Sequence, residues 1–397
     1  MRALVIAPQP FFSPRGTPFS VYYRTLVTSE QGVKIDLLTY GEGQDVSIPN
    51  VRIKRIPHFK NFGPVKVGPS YLKLFLDMFI IIWMFGLLLK NRYDFVHAHE
   101  EAIFFCRFLK PIFRFKLIYD MHSSLPQQLT NFQFTDSKFI INFFKSLEES
   151  CLQSADVVIT ICPDLANYVN GLIQEQKKHL LIENSIFEPV RLLSDTNSRN
   201  PEKPFGSNQL ERGIQLPQGK KFVVYAGTLE PYQGIDILLK AFKRVVVNKK
   251  DAFLVIVGGN EGQVKFYSDL SKTLDIIDNV HFTGRVPQIS AKHYCKHASV
   301  LVSPRSDGTN TPLKIYEQLA SGIPLVATNI YSHTQVLDDN VAFLVKPEPD
   351  DMAAGIIKAL DQSNDCRISK NAKMLYKEKY DRPVYEKKIQ RVLELLS

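Results

Sequence analysis

Two short stretches of this 397-residue chain repeat one order of residue types. Residues 13–18 read SPRGTP, residues 303–312 read SPRSDGTNTP, and a helical pattern follows each. The spacing predicts Thr17 and Thr311 as N-caps, with Pro18 and Pro312 at the first helical position. Gly16 and Gly308 let a ligand approach the backbone closely. A helix start presents unpaired N–H groups, so each loop is either a candidate anion site or simply a well-capped turn. Lys314 separates these readings for the second loop. It falls in the first helical turn, where a cation is normally disfavoured. An anion lying between the lysine and the helix start would reverse that preference, and a diphosphate fits. Glu317 follows three residues later on the same helix face. It either pairs with Lys314 or accepts hydrogen bonds from sugar hydroxyls.

Other chemistry-bearing residues stand at the ends of apolar runs. VYAGTLEPYQG places Gly227 after one such run, and Gly234 with Asp236 marks the next helix start; HFTGRVP places Gly284 and Arg285 after another. YDFVHAHEEA brings His97, His99 and Glu100 to a strand end, and IYDMHSS brings Asp120 and His122 to a second. Three histidines with carboxylates resemble a metal set, but no helical HExxH spacing accompanies them, and no metal is expected. His97 and His99 alternate along their strand with at least one facing a helix. His122, at a strand end, is the better candidate for touching substrate.

These residues need elements to hold them. Short β-branched runs alternate with helical patterns from end to end, which implies crossover connections and a largely parallel sheet. The expected architecture is α/β: a doubly wound domain over 1–190, a Pro-, Asn- and Ser-rich linker over 191–220, a second doubly wound domain over 221–381, and a last helix, 382–397, packing back on the first. Ligands of such sheets sit beyond the carboxyl ends of the strands, so the expected site is the cleft between two facing domains.

Bulk properties narrow the partners. The net charge of +9 favours an anionic one. No RNA-binding signature or basic helix with interleaved aromatics appears, so nucleic acid is not expected. Five dispersed cysteines without a CxxC pair fit a reducing cytoplasm. Residues 72–90, LKLFLDMFIIIWMFGLLLK, are apolar nearly all round. They form either a helix buried between layers or one lying in a membrane interface, with Lys66, Lys73, Lys90 and Arg92 to meet headgroups. No GxGxxG follows the first strand, and neither a P-loop nor a GxSxG is present.

The blocks VVYAGTLEPYQGIDILLKAF, FLVIVGGNEGQ, VHFTGRV, ADVVITICPDLANYV and PLKIYEQLASGIPLVATN, in this order, resemble the retaining glycosyltransferases of family four. The resemblance spans nearly the whole chain. It implies a GT-B fold of two Rossmann-like domains and transfer of a hexose, without metal or cofactor, from a UDP- or GDP-sugar. The acceptor hydroxyl would belong to a glycan or a lipid-linked sugar. Glu317 matches the glutamate on the donor ribose, Gly16 the loop glycine near the donor phosphates, and His122 the histidine at the transferred sugar. Arg285 and Val286 match the base-holding loop, and Thr309, Asn310, Thr311 and Leu313 lie in the segment that holds the diphosphate. The family often has an earlier glutamate where this chain has Thr309, and an arginine and a lysine where it has Thr228 and Gln233. Lys314, with Arg305 or Arg15, would then supply the charge. No enzymic nucleophile is assigned; Asp120 and Glu100 are the candidates for one. A sugar-nucleotide epimerase, or a sugar-nucleotide-binding protein without activity, are the alternatives on the same fold.

Overall fold

The apolar runs form strands buried on both faces, as central parallel strands must be when helices cover each side. The computed structural model describes all residues except 14–15, 60–62, 64, 66–69, 127–136, 189, 191, 193–215 and 364. Arg15, Lys66 and most of the expected linker therefore lie outside the described residues. The chain divides into two units: Met1–Ser185, Val190–Arg199 and Arg382–Ser397 form one, and Ile186–Pro189 with Asn200–Asp381 form the other.

The first unit holds β1 (Arg2–Ala7), β2 (Lys34–Thr39), β3 (Val51–Arg55), β4 (Phe95–His99), β5 (Lys116–Met121), β6 (Val157–Thr160) and β7 (His179–Leu181). They lie in the order β3-β2-β1-β4-β5-β6-β7, every described pairing parallel. Its helices are α1 (Gly16–Glu30), α2 (Tyr71–Lys90), α3 (Ala102–Phe113), α4 (Lys138–Ser154) and α5 (Pro163–Asn170). The last helix of the chain also belongs to this unit. It buries Tyr385, Ile389, Val392 and Leu396 along one stripe, and Arg382 ties it to Glu30 of α1 at 2.6 Å.

The second unit holds β8 (Lys221–Ala226), β9 (Ala252–Val257), β10 (Val280–Gly284), β11 (Val300–Ser303), β12 (Leu325–Thr328) and β13 (Phe343–Val345), in the order β10-β9-β8-β11-β12-β13. Its helices are α6 (Ile235–Asn248), α7 (Glu261–Thr273), α8 (Gln288–Lys296), α9 (Leu313–Ser321), α10 (Tyr331–Thr334), α11 (Pro349–Leu360) and α12 (Arg367–Lys379); the returning helix Arg382–Leu396 is α13.

Two local expectations change. Helix α1 begins at Gly16, so Thr17 and Pro18 stand inside its first turn, where the missing proline N–H costs no hydrogen bond. Helix α9 begins at Leu313. Pro312 keeps an extended ψ of 135° and takes the cap position without a side-chain bond, so Thr311 lies outside the helix. The residue before a proline is itself held extended, which delays the start.

Helix α2 is neither fully buried nor free. Leu76, Ile80, Met84 and Leu88, four apart, pack into the core of the first unit. Burying each stabilises by about 1.5–3 kcal/mol. By length and composition α2 could cross a membrane, but that stripe fastens it to the sheet. Its other face leaves Leu74, Met78, Ile82, Phe85 and Leu89 exposed.

Backbone packing in the second unit depends on a glycine. Gly258 has φ +119°, and a Cβ there would lie 2.0 Å from the Gly227 carbonyl oxygen. Gly258→Ala should destabilise the protein by about 2 kcal/mol or more in chemical denaturation, whereas Gly262→Ala, inside α7, should leave stability equal or raised.

Candidate active site

In the second unit the strand order reverses between β8 and β11. Loops leaving the two strands there run to opposite faces and open a crevice beyond the strand ends. Gly227 follows β8 and residues 304–312 follow β11, so both glycine-bearing loops meet at this reversal.

Lys314, second residue of α9, reaches into that crevice. Its Nζ lies 4.1 Å from the centre of the Tyr225 ring and donates to Gln233 Oε1 at 3.3 Å. Tyr225 Oη donates to the Thr228 carbonyl at 2.5 Å and also stands 3.2 Å from Gln233 Oε1. A Cβ at Gly227, where φ is +155°, would sit 2.9 Å from Tyr225 Oη and 3.7 Å from Lys314 Nζ. The glycine therefore keeps open the space beside the ammonium. Among the described residues Lys314 has no ion pair with a carboxylate. Burial, reinforced by the charge of Arg305, pulls its pKa down to about 7. The position that would carry a lysine in the resembled family is thus occupied by Gln233, and Lys314 arrives at the same spot from another helix.

Arg305 organises its own loop. Its NH1 donates to the Asn310 carbonyl at 3.0 Å, its Nε to the Asp307 carbonyl at 2.5 Å, and its guanidinium lies 5.2 Å from the Tyr232 ring centre. Gly308, at φ +118°, makes room for it, since a Cβ there would meet the guanidinium. Thr309 gives its carbonyl to Gln335 Nε2, and the buried Thr311 hydroxyl has no partner. Glu317 does not pair with Lys314: it takes Lys292 Nζ of α8 at 3.3 Å, and burial raises its carboxyl pKa. The i, i+3 bridge fails because Lys314 is drawn to Tyr225 and Gln233 instead. Gly284, at φ +64°, accepts from Gly258 N at 2.9 Å; Arg285 beyond it is exposed, and Val286 packs on the core.

In the first unit His122 belongs to a buried cluster centred on Asp120. Arg24 of α1 holds Asp120 Oδ2 at 3.0 Å through Nε, and His97 Nε2 lies 3.0 Å from the same oxygen. His97 and His99 share one face of β4, their rings stacked 4.5 Å apart, and His99 Nδ1 meets His122 Nε2 at 3.0 Å. His97, His99 and Asp120 offer ligand atoms within 4.8 Å of one another. Arg24, itself fully buried, already supplies the cation this carboxylate requires, so a divalent ion would face like charge at its own ligand. Burial lowers the pKa of His122 to about 4 and holds that of His99 well below its ordinary value, so both rings are neutral at pH 7. Asp120 stays ionised against its burial because Arg24 faces it. Arg24 and His97 both bond the same oxygen, Oδ2, and so tie Asp120 into this cluster. Glu100 has φ +49°, and burial raises its carboxyl pKa to about 7, with Glu101 adding to the shift. Gly16 is exposed at the start of α1.

Three contributors escaped sequence reasoning. Tyr225 supplies the ring under Lys314, Lys292 the partner of Glu317. Glu148 of α4, fully buried, accepts from Ser124 Oγ and Tyr168 Oη at 2.9 Å and from Leu125 N at 3.0 Å, pinning the chain just after His122. The only signal for Glu148 was a carboxylate spaced three and four from the apolar Cys151 and Leu152 of its helix.

Two protein-family models match the chain: "Glycosyl transferases group 1" over residues 207–375 and "Glycosyltransferase Family 4" over residues 20–186. An uncharacterized glycosyltransferase of Methanocaldococcus jannaschii is 26% identical over 363 residues, covering 88% of this chain and 86% of its own. A phosphatidyl-myo-inositol mannosyltransferase of Mycolicibacterium smegmatis is 27% identical over 187 residues, 46% of this chain and 47% of that protein. Among solved structures, an Anabaena protein in complex with UDP and glucose superposes with a TM-score of 0.69 at 15% identity, over 99% of each chain. That likeness establishes the fold.

The buried amine makes stability pH-dependent with a defined sign. Unfolded, Lys314 titrates at its ordinary value of 10.5, and folded at about 7. Below pH 7 both states are charged and the fold bears the whole burial cost; as pH rises from 7 to 10.5 the folded amine is neutral and the cost fades. Lys314→Met should therefore stabilise the ligand-free protein at about pH 6, and the gain should shrink towards about pH 10 in paired denaturation curves.

Proposed function

This chain belongs to the group 1 and family 4 glycosyltransferases of GT-B fold, and from that premise we propose that Lys314 and the start of α9 bind the diphosphate of its nucleotide-sugar donor. The observation that carries this reading is an ammonium group at the strand-order reversal that pairs with no carboxylate among the described residues. A diphosphate there meets the N–H groups of the α9 start as well as the ammonium, and its charge returns the amine to its protonated form.

The reaction transfers a hexose with retention. As the bond between the anomeric carbon and the diphosphate oxygen breaks, negative charge collects on the leaving group. Lys314, the helix start and the glycine-lined loops stabilise that charge without reorganising. The acceptor oxygen then attacks from the face the diphosphate leaves, and its proton passes to a phosphate oxygen of the leaving nucleotide. No enzymic nucleophile and no metal is required. Glu317 leaves Lys292 to accept the ribose hydroxyls.

The exposed apolar face of α2 supports an acceptor at a bilayer, a lipid-linked sugar or growing polysaccharide. The mycolicibacterial relative, by its name, acts on a phosphatidyl-inositol. Nucleotide sugars and five free cysteines fit the cytoplasmic side of the membrane.

A thermal-shift panel of UDP-, GDP- and ADP-sugars followed by transfer assays tests the reading. One base should stabilise the wild type; a ligand at about 100 times its Kd adds about 2.7 kcal/mol. Lys314→Ala should lose that stabilisation and about 10²–10³ in kcat/KM. Undiminished binding and turnover in Lys314→Ala would remove the diphosphate from this spot.

A further inference from the structure

A groove of roughly 620 Å³ runs between α2 and the edge strand β3 of the first unit, and shares no residue with the donor loops. Ile82, Trp83 and Gly86 of α2 form one wall, and Arg52 and Lys54 of β3 the other. Those two cations are two apart in a strand, so both project to the same side. Arg2, Asp36, Arg55, Leu87, Lys90 and Asn91 complete the lining.

The charge balance is positive. The carboxylate of the groove, Asp36, is buried and already accepts from Arg2 at 2.9 Å, Arg52 at 3.1 Å and Tyr93 at 2.8 Å. Lys54 and Lys90 are exposed and have no ion pair among the described residues. An anion is therefore favoured, yet the α2 wall of the groove is apolar. A small soluble anion would gain nothing from Trp83 and Ile82. A phospholipid presents a phosphate and hydrocarbon together.

The groove also opens onto the exposed face of α2. Ile82, 59% exposed, lines it and stands in the same outward row as Leu74, Met78, Phe85 and Leu89. A helix lying in a bilayer interface buries such a row at the acyl boundary, while nearby cations meet the headgroups. A second copy docked on this face by a two-fold contact would instead bring two sets of groove cations together.

Resting on the reading that α2 meets a bilayer, we propose that the α2–β3 groove binds the phosphate headgroup of an anionic phospholipid, whose acyl chains lie along the exposed row of α2. The ligand class is a negatively charged glycerophospholipid, held by Lys54, Lys90 and Arg52, with Trp83 against its glycerol and upper acyl region.

Trp83 is the one tryptophan of the chain, so its emission reports this groove alone. The full-length protein is titrated with vesicles of phosphatidylcholine alone and of phosphatidylcholine mixed with phosphatidylglycerol, and binding is confirmed by co-sedimentation. The mixed vesicles should shift Trp83 emission to the blue and bind at least about tenfold more tightly. Lys54→Glu with Lys90→Glu should abolish that preference while leaving nucleotide-sugar stabilisation intact. Met78→Glu should weaken binding to both kinds of vesicle. Equal binding to both vesicles, unaffected by the lysine reversals, would overturn the headgroup groove and leave the interfacial α2 standing. An equal emission shift with soluble glycerol phosphate would overturn the lipid assignment. No vesicle binding, with a dimer that Met78→Glu breaks, would overturn both readings.

Discussion

The site turns on one unneutralised charge. An ammonium group on a helix start, set against an aromatic face, an amide oxygen and a nearby guanidinium, is a poor arrangement for a ligand-free protein. Burial, the helix dipole and Arg305 oppose the charge, while Tyr225, the Gln233 oxygen and Cys295 favour it. The rest of the second unit builds this awkward spot: the strand-order reversal opens the crevice, Gly227 keeps it clear, and Arg305 folds the following loop around itself. Such strain is retained where a ligand relieves it. The same site without Lys314 would be more stable and would have less to offer a diphosphate.

The first unit solves the opposite problem. Its buried carboxylate, Asp120, faces Arg24 and bonds His97, and the buried His122 beside it is uncharged at pH 7. Glu148 fixes the chain on the far side of His122. A neutral imidazole can donate or accept at a sugar hydroxyl without placing a second cation beside the substrate.

Much of this could be read from residue order, because continuous β-branched runs alternating with helical periods admit few arrangements other than doubly wound sheets. The thirteen strands among the described residues fall within the β-branched runs, and Gly227, Gly258 and Gly284 stand at strand ends. What escaped is what local pattern does not encode. Thr311 looked like a cap, but Pro312 delays the helix by one residue. Lys314 and Glu317 looked like a helical pair, yet each takes a partner from a different element, Gln233 and Lys292. Tyr225 reads as one more core aromatic until Lys314 is seen above it. Helix α2 was ambiguous because composition cannot say which side of an all-apolar helix finds the sheet.

The central claim, that Lys314 is a latent cation called into charge by the donor's diphosphate, is tested most directly by counting protons. Titration calorimetry of the binding nucleotide sugar at about pH 8, in buffers of differing ionisation enthalpy, gives the number taken up on binding. The account requires uptake of about one proton by the wild type, and none by Lys314→Met if that variant binds at all. Binding without proton uptake in the wild type, or the same uptake in both proteins, would contradict it.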